Sequence, residues 1–292
     1  MIGVGNVQYD EEEPRHYRGG KLNMNPAVVV SGIWNGEDIE EKRKYIQKFF
    51  PYDIFFTSWT NEKLDNTEVV QFEEPEDNFC KLALCPDKKR FVESLPLKGS
   101  VWTSAALVPY TWGNKQIYGH ALALEKLDPK YDMVIKLRWD IFLFKNINWI
   151  EYVEKSYEFN SALGFNAVKN NVVGRPVRKI YASDENPKKR RPWGYGLNDQ
   201  LIIYPRKLFN PKRTIELFNN TQLRGAESGW WQMLIEENYG FVDYTIDPCV
   251  NYYGGVLLQN HLKYVSRELR KINRSIHEFI EIPNKKLTLR DD

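Results

Sequence analysis

The run Tyr131-Asp-Met-Val-Ile-Lys-Leu-Arg-Trp-Asp140-Ile-Phe-Leu-Phe144 constrains this chain more than any other stretch. From Asp132 to Leu137 it is mostly apolar and alternates poorly, as a strand covered on both faces does. Such strands belong to parallel sheets with helices on either side. Arg138 and Asp140 follow two apart, so an extended backbone turns them to the same side at the strand's end. A cation beside a carboxylate there suits a ligand that carries phosphate and metal, with Arg138 on the phosphate oxygens and Asp140 on a hard divalent ion. The structural alternative is an ion pair that only closes the strand end.

The flanking pattern fits an α/β sheet. Ala27-Val-Val-Val30 reads as a first buried strand that turns at Ser31-Gly32. Glu37 and Asp38 open a helix with Ile39, Ile46, Phe49 and Phe50 on one side, and Pro51 stops it. Asp53 to Phe56 is the next strand, so a βαβ unit is complete within about thirty residues. Asn114 to Leu127 is a helix with Ile117, Ala121, Leu124 and Leu127 in one stripe, and it leads into the Tyr131 strand. Leu201 to Tyr204 is a short strand, and Gly225 to Asn238 a helix. Leu262, Val265, Leu269, Ile272, Ile276 and Phe279 repeat by threes and fours, which predicts a long amphipathic C-terminal helix with a basic opposite face. The expected organisation is an arm over residues 1–25, one domain over 26–259 and a C-terminal helix and tail over 260–292.

Net charge is only +2, so the whole molecule is no electrostatic trap for nucleic acid. Cys80, Cys85 and Cys249 have neither an even framework nor a zinc spacing and read as free thiols in a reducing compartment. The acidic Asp10-Glu-Glu-Glu13 argues against a secretory leader, and no apolar stretch of the sequence approaches a membrane span. A cytoplasmic protein is expected, with the basic C-terminal face offering at most a weak contact to a membrane surface.

In open α/β sheets ligands lie beyond the carboxyl ends of the strands. That rule gathers Ser31, Gly32 and Asn35, then Thr57, Ser58 and Trp59, then Arg138 and Asp140, as one candidate donor-binding rim. Gly32 lets backbone approach a ligand, and the hydroxyls of Ser31, Thr57 and Ser58 can bond a ribose or base. A second cluster, Trp193, Tyr195, Asn198, Asp199 and Gln200, mixes rings with groups that can bond sugar hydroxyls; a turn is its structural alternative. In the third, Glu227 starts a helix beside Trp230 and Trp231. It either complements the helix dipole or serves as a general base next to an acceptor held by Trp230. Lys188-Lys-Arg-Arg191 is a solvated loop or a flap near a diphosphate. His16, His120, His261 and His277 form no catalytic pattern and receive no role.

In order along the chain, Val28-Val-Val-Ser-Gly32, Tyr52-Asp-Ile-Phe-Phe-Thr-Ser-Trp59, the Tyr131 to Asp140 strand, Asn198-Asp-Gln200 and Ala226-Glu-Ser228 resemble the WavE-like lipopolysaccharide-synthesis proteins and their relatives in bacteria and large viruses. These are glycosyltransferases of the GT-A type. The resemblance implies a Rossmann-like, mostly parallel sheet flanked by helices, with 26–149 as a nucleotide-sugar-binding half and 150–259 as an acceptor-binding half of one domain. It implies a hexosyltransferase that moves a sugar from a nucleotide-diphosphate donor to a glycan or lipid-linked acceptor in polysaccharide synthesis, with inversion favoured. Glu227, and after it Asp199, would be the catalytic base. The metal-binding D-x-D of such enzymes would fall on Arg138-Trp139-Asp140. Manganese or magnesium would then rest on Asp140 alone, or be replaced by the charge of Arg138. A second departure is Ile33-Trp34-Asn35, where relatives carry an arginine. The competing reading is a catalytically inactive nucleotide- or carbohydrate-binding protein of the same fold.

Overall fold

The computed structural model describes residues 23–34, 36–60, 69–73, 112–167, 176–178, 196–220, 222–223, 226–239 and 249–282. The N-terminal arm, Asn35, Cys80, Cys85, the basic run at 188–191, Trp193 and Tyr195 lie outside them.

Strand β1 (Pro26–Ser31) lies fully buried between β2 (Asp53–Thr60) and β4 (Met133–Arg138), parallel to both. β3 (Val69–Glu73) extends the parallel half beyond β2. On the other side β8 (Leu201–Pro205) runs antiparallel to β4 and to β6 (Ala162–Asn166). β9 (Cys249–Tyr253) pairs parallel with β6, and the short β7 (Val177–Arg178) closes the edge. The order is thus β3-β2-β1-β4-β8-β6-β9-β7, with four of seven neighbouring pairs parallel. A separate ribbon pairs β5 (Ile141–Leu143) with β10 (Val256–Leu258). This is the mostly parallel α/β sheet flanked by helices that is expected, with β8 and β7 as its antiparallel members.

Both faces of the sheet are covered. Helix α1 (Ile39–Gln47) is capped by Asp38, whose carboxylate accepts from Glu41 N at 3.0 Å. With α3 (Trp149–Glu158) and α6 (Leu262–Arg270) it packs on the face of Val28, Val30, Ile135 and Leu137. Helices α2 (Trp112–Lys126), α4 (Pro211–Asn219) and α5 (Ala226–Trp231) cover the face of Ala27, Val29, Val134 and Ile202. α5 continues through a π turn over Gln232–Glu236 into a last α turn over Glu237–Tyr239.

Two elements differ from the sequence reading. The C-terminal stripe is no single long helix: α6 ends at Arg270, and Asn273 takes a left-handed φ of 54°. Ser275 then caps a separate 3-10 turn over Ile276–Glu278, so the same apolar spacing is split between two short pieces. Helix α3 went unrecognised. Ser156 takes a position on its buried stripe and satisfies its hydroxyl on the carbonyls of Ser161 and Ile203, which breaks the apolar pattern without breaking the helix.

Candidate functional site

The chain leaves β1 through α1 on one face and enters β4 from α2 on the other. At the carboxyl ends of the neighbouring β1 and β4 the chain turns into α1 and into β5, and ligands of open α/β sheets bind in the crevice outside such strand ends. There Ser31 and Arg138 are register partners. Ser31 is buried, and its Oγ has no hydrogen-bond partner among the described residues. Gly32 follows with φ at 128°, a backbone conformation that side-chain-bearing residues rarely adopt.

Arg138 lies against Asp140 in a bidentate pair, Nε to Oδ1 at 2.9 Å and Nη2 to Oδ2 at 2.8 Å. Burial works against the guanidinium charge, but the adjacent Asp140 outweighs it and holds the Arg138 pKa above its ordinary value. The intervening Trp139 points to the opposite face and fixes the strand tip. Its Nε1 donates to Thr57 O at 2.9 Å, and its carbonyl accepts from the buried Lys42 Nζ at 2.5 Å. Asp140 O accepts in turn from Gln259 N at 2.9 Å. Arg138 is thus presented by a tip anchored from α1, β2 and the segment after β10.

Behind it lies a group that the sequence reading passed over. Lys136 is fully buried on the same face of β4 as Arg138. Its ammonium donates to Asp199 O and stands 5.1 Å from the centre of the Trp230 ring. In the amide orientation that satisfies both neighbours, Gln116 of α2 accepts from Lys136 Nζ at 3.0 Å and donates to Asp199 Oδ2 at 3.1 Å. Burial, reinforced by Arg138, brings the Lys136 pKa down to about 7, while Asp199 and Asp140 pull the other way. One lysine within an apolar run of a strand covered on both faces was the signal available in the sequence.

Asp199 belongs to the stretch that feeds β8, and this stretch is tied to α5: Leu197 N donates to Glu227 O at 3.0 Å. A Cβ on Gly196 would come within 2.9 Å of Glu227 Cβ, so glycine permits the approach. Glu227 is exposed along its side chain, yet the chain crowds its carboxyl. That crowding, then the charge of Asp199, push its pKa above the ordinary glutamate value. Asp199 and Glu227 therefore form an interacting carboxyl pair reached from Arg138 through Lys136.

Several expected ligand contacts are already spent on the scaffold. Thr57 Oγ1 donates to Val30 O at 3.0 Å. Ser58 Oγ accepts from Trp34 N at 2.8 Å and donates to Trp59 O at 2.9 Å. The Trp59 ring stacks on Tyr118 at 6.1 Å and 11°, against the bare face of Gly119. Asn198 is buried and donates its amide to Tyr252 O at 2.9 Å, while Gln200 Oε1 accepts from Ala167 N at 2.7 Å. Trp230 is fully buried against His120 and Phe209, so it walls the Lys136 chamber and offers no surface to a sugar. A hydroxyl or amide at a strand end can serve backbone and ligand alike, and each of these has a backbone partner. His120 donates to or accepts from the Tyr204 hydroxyl at 2.6 Å, and burial holds its pKa well below the ordinary histidine value.

The donor set does not fit a resident divalent ion on Asp140. Both of its oxygens are engaged by Arg138, and no group of three His, Cys, Asp or Glu side chains comes together among the described residues. No helix among the described residues is long and apolar enough to cross a membrane.

No protein-family model matches the chain, and no curated protein does. Solved structures give distant likenesses. The 4-diphosphocytidyl-2C-methyl-D-erythritol synthase of Anaerococcus prevotii has a TM-score of 0.35 at 10% identity, covering 78% of this chain and 87% of that one. A glycosyltransferase involved in glycosylation of the major capsid of PBCV-1 has a TM-score of 0.33 at 10% identity, covering 78% and 80%. Mouse xyloside xylosyltransferase 1 has a TM-score of 0.30 at 14% identity, covering 74% and 82%. Likeness at this level brings no activity to the chain.

Proposed function

We propose that this chain is a glycosyltransferase of the GT-A type, similar to the WavE-like proteins, that transfers a sugar from a nucleotide-diphosphate donor to a hydroxyl of a glycan or lipid-linked acceptor. The observation that carries the reading is Arg138. Its guanidinium is held at the β1–β4 crevice beside the Ser31 hydroxyl, which has no partner among the described residues, with the carboxyls of Asp199 and Glu227 behind it.

Breaking the bond between the anomeric carbon and phosphate leaves negative charge on the diphosphate and positive charge on the sugar. The first must be neutralised where it develops, and a preorganised guanidinium does this. Asp140 keeps the fork of Arg138 aimed, so little reorganisation is needed as the bond lengthens. The second favours attack by an acceptor oxygen whose proton is taken by a nearby base. Glu227 is the base in this reading, and its raised pKa brings its proton affinity closer to the task. The charge assigned elsewhere to a metal falls to Arg138.

A thermal-shift panel of nucleoside diphosphates, with manganese and with chelator, tests this. One nucleotide is expected to stabilise the protein in both conditions; at a hundred times its Kd the gain is about 2.7 kcal/mol. Its sugar conjugate should be slowly hydrolysed, with water standing in for the acceptor. Absence of stabilisation by every nucleotide rejects the proposal, while stabilisation without hydrolysis selects an inactive binding protein. Glu227→Gln is expected to keep the stabilisation and to lower hydrolysis by about 100-fold, within the range for loss of a general base. Undiminished hydrolysis would remove Glu227 from the mechanism.

A further inference from the structure

We infer that Lys136 is a positioning residue that sets where Asp199 stands beside Glu227, and so tunes the carboxyl assigned as the acceptor base. The inference rests on that assignment of Glu227.

Lysine is rarely fully buried without a compensating partner, and the side chain of Lys136 has no exposed surface. It is met from every side. From its own strand come Arg138 and Asp140, from α2 Gln116 and His120, from α5 the Trp230 ring, and from the stretch before β8 Asp199. Among the described residues its hydrogen-bond acceptors are Asp199 O and the Gln116 amide oxygen, and the same amide holds the Asp199 carboxylate. Lys136 therefore grips Asp199 twice, once at its backbone and once through Gln116. Breaking the grip would take the lysine from the partly buried Asp199 carbonyl and loosen the stretch between Leu197 and Gln200. Asp199 is also the charged group that acts on Glu227, which ties the lysine to the base.

Sign separates positioning from plain electrostatics. Removing a cation from the neighbourhood of a carboxyl raises its pKa. Removing the placement of Asp199 takes a negative charge away from Glu227 and lowers it. These two effects oppose each other, so a midpoint reads which one dominates.

The test is carbon NMR titration of protein labelled at the glutamate side-chain carboxyl, with the Glu227 signal identified by its loss in Glu227→Gln. In the wild type Glu227 is expected to titrate above free glutamate. Asp199→Asn should lower the midpoint, and Lys136→Met should lower it by at least half as much. A midpoint unchanged or raised in folded Lys136→Met overturns the inference. If that variant does not fold, Gln116→Leu decides, since it keeps the lysine and removes the clamp on the carboxylate. A lower Glu227 midpoint supports positioning, and an unchanged one overturns it. The titration uses no substrate, so a failed nucleotide panel would strike the enzyme reading and with it the role of Glu227 as base, while the link from Lys136 through Asp199 to the Glu227 carboxyl is decided by the titration itself.

Discussion

Arg138→Met is expected to lower turnover of the nucleotide sugar selected by the panel by at least 100-fold while the protein stays folded. The guanidinium is the one cation at the β1–β4 crevice, among the described residues, that reaches both solvent and a fixed carboxylate, with about a third of its side chain exposed (31%). Loss of one preorganised group that meets developing charge costs about 3 kcal/mol of transition-state stabilisation, and 2.7 kcal/mol corresponds to about 100-fold. Stability should change little, because both partners of the pair already reach water and an ion pair at the surface contributes only about 0–1 kcal/mol. Arg138→Lys should recover only part of the rate. A lysine carries the charge but cannot form the two parallel bonds that Asp140 now accepts. Steady-state hydrolysis and a thermal melt of the three proteins suffice as the measurement. Turnover within threefold of wild type in Arg138→Met would show that the leaving group is neutralised elsewhere.

That prediction depends on a placement legible in the sequence. The apolar runs of β1, β2 and β4 and the helices between them follow from periodicity, and the rule for open sheets then puts Ser31, Gly32, Arg138 and Asp140 at one crevice. What each polar group does there was less legible. Thr57 bonds a carbonyl 27 residues away, and Ser58 accepts from an amide 24 residues away. Whether such a hydroxyl serves a ligand or the backbone depends on partners that only the folded chain brings near. The burial of Trp230 was illegible for a related reason: a ring after a helix start reads the same whether it lines a cleft or fills a core. Lys136 was hidden by its neighbours, since an apolar run tolerates one lysine in any count of hydrophobicity. Its importance came from burial on both faces combined with two acceptors supplied by α2 and the approach to β8. The C-terminal stripe shows the limit of periodicity itself, because threes and fours continue across a break that a single left-handed asparagine introduces.

The scaffold that delivers Lys136 and Arg138 hangs on another arginine, and its removal should be the most destabilising of the polar substitutions considered. Arg206 follows β8 and turns its guanidinium under the end of α2. Nη2 donates to the carbonyls of Leu124 at 3.1 Å and Leu127 at 2.9 Å, and Nη1 to those of Asp128 at 2.5 Å and Tyr131 at 3.3 Å. The last carbonyls of a helix have no partner within it and carry the negative end of the dipole, so a cation there satisfies them twice over. The same guanidinium fixes the turn from α2 into β4, and Arg206 N donates to Asp132 O at 2.8 Å, one residue before that strand. A charge-assisted hydrogen bond contributes roughly 1.5–3 kcal/mol, and bonds made by one group do not add in full. Arg206→Ala is therefore expected to lose about 3 kcal/mol, or a fall in Tm of about 6 °C for a chain of this size. Arg206→Lys should regain only a minority of it, since one ammonium cannot reach carbonyls on both sides of the turn. Urea unfolding with an unchanged slope and a lower midpoint would place the loss in the folded state. A loss below about 0.5 kcal/mol in Arg206→Ala, the range of ordinary surface changes, would mean that water replaces the guanidinium at all four carbonyls and that the α2–β4 turn is held by its backbone alone.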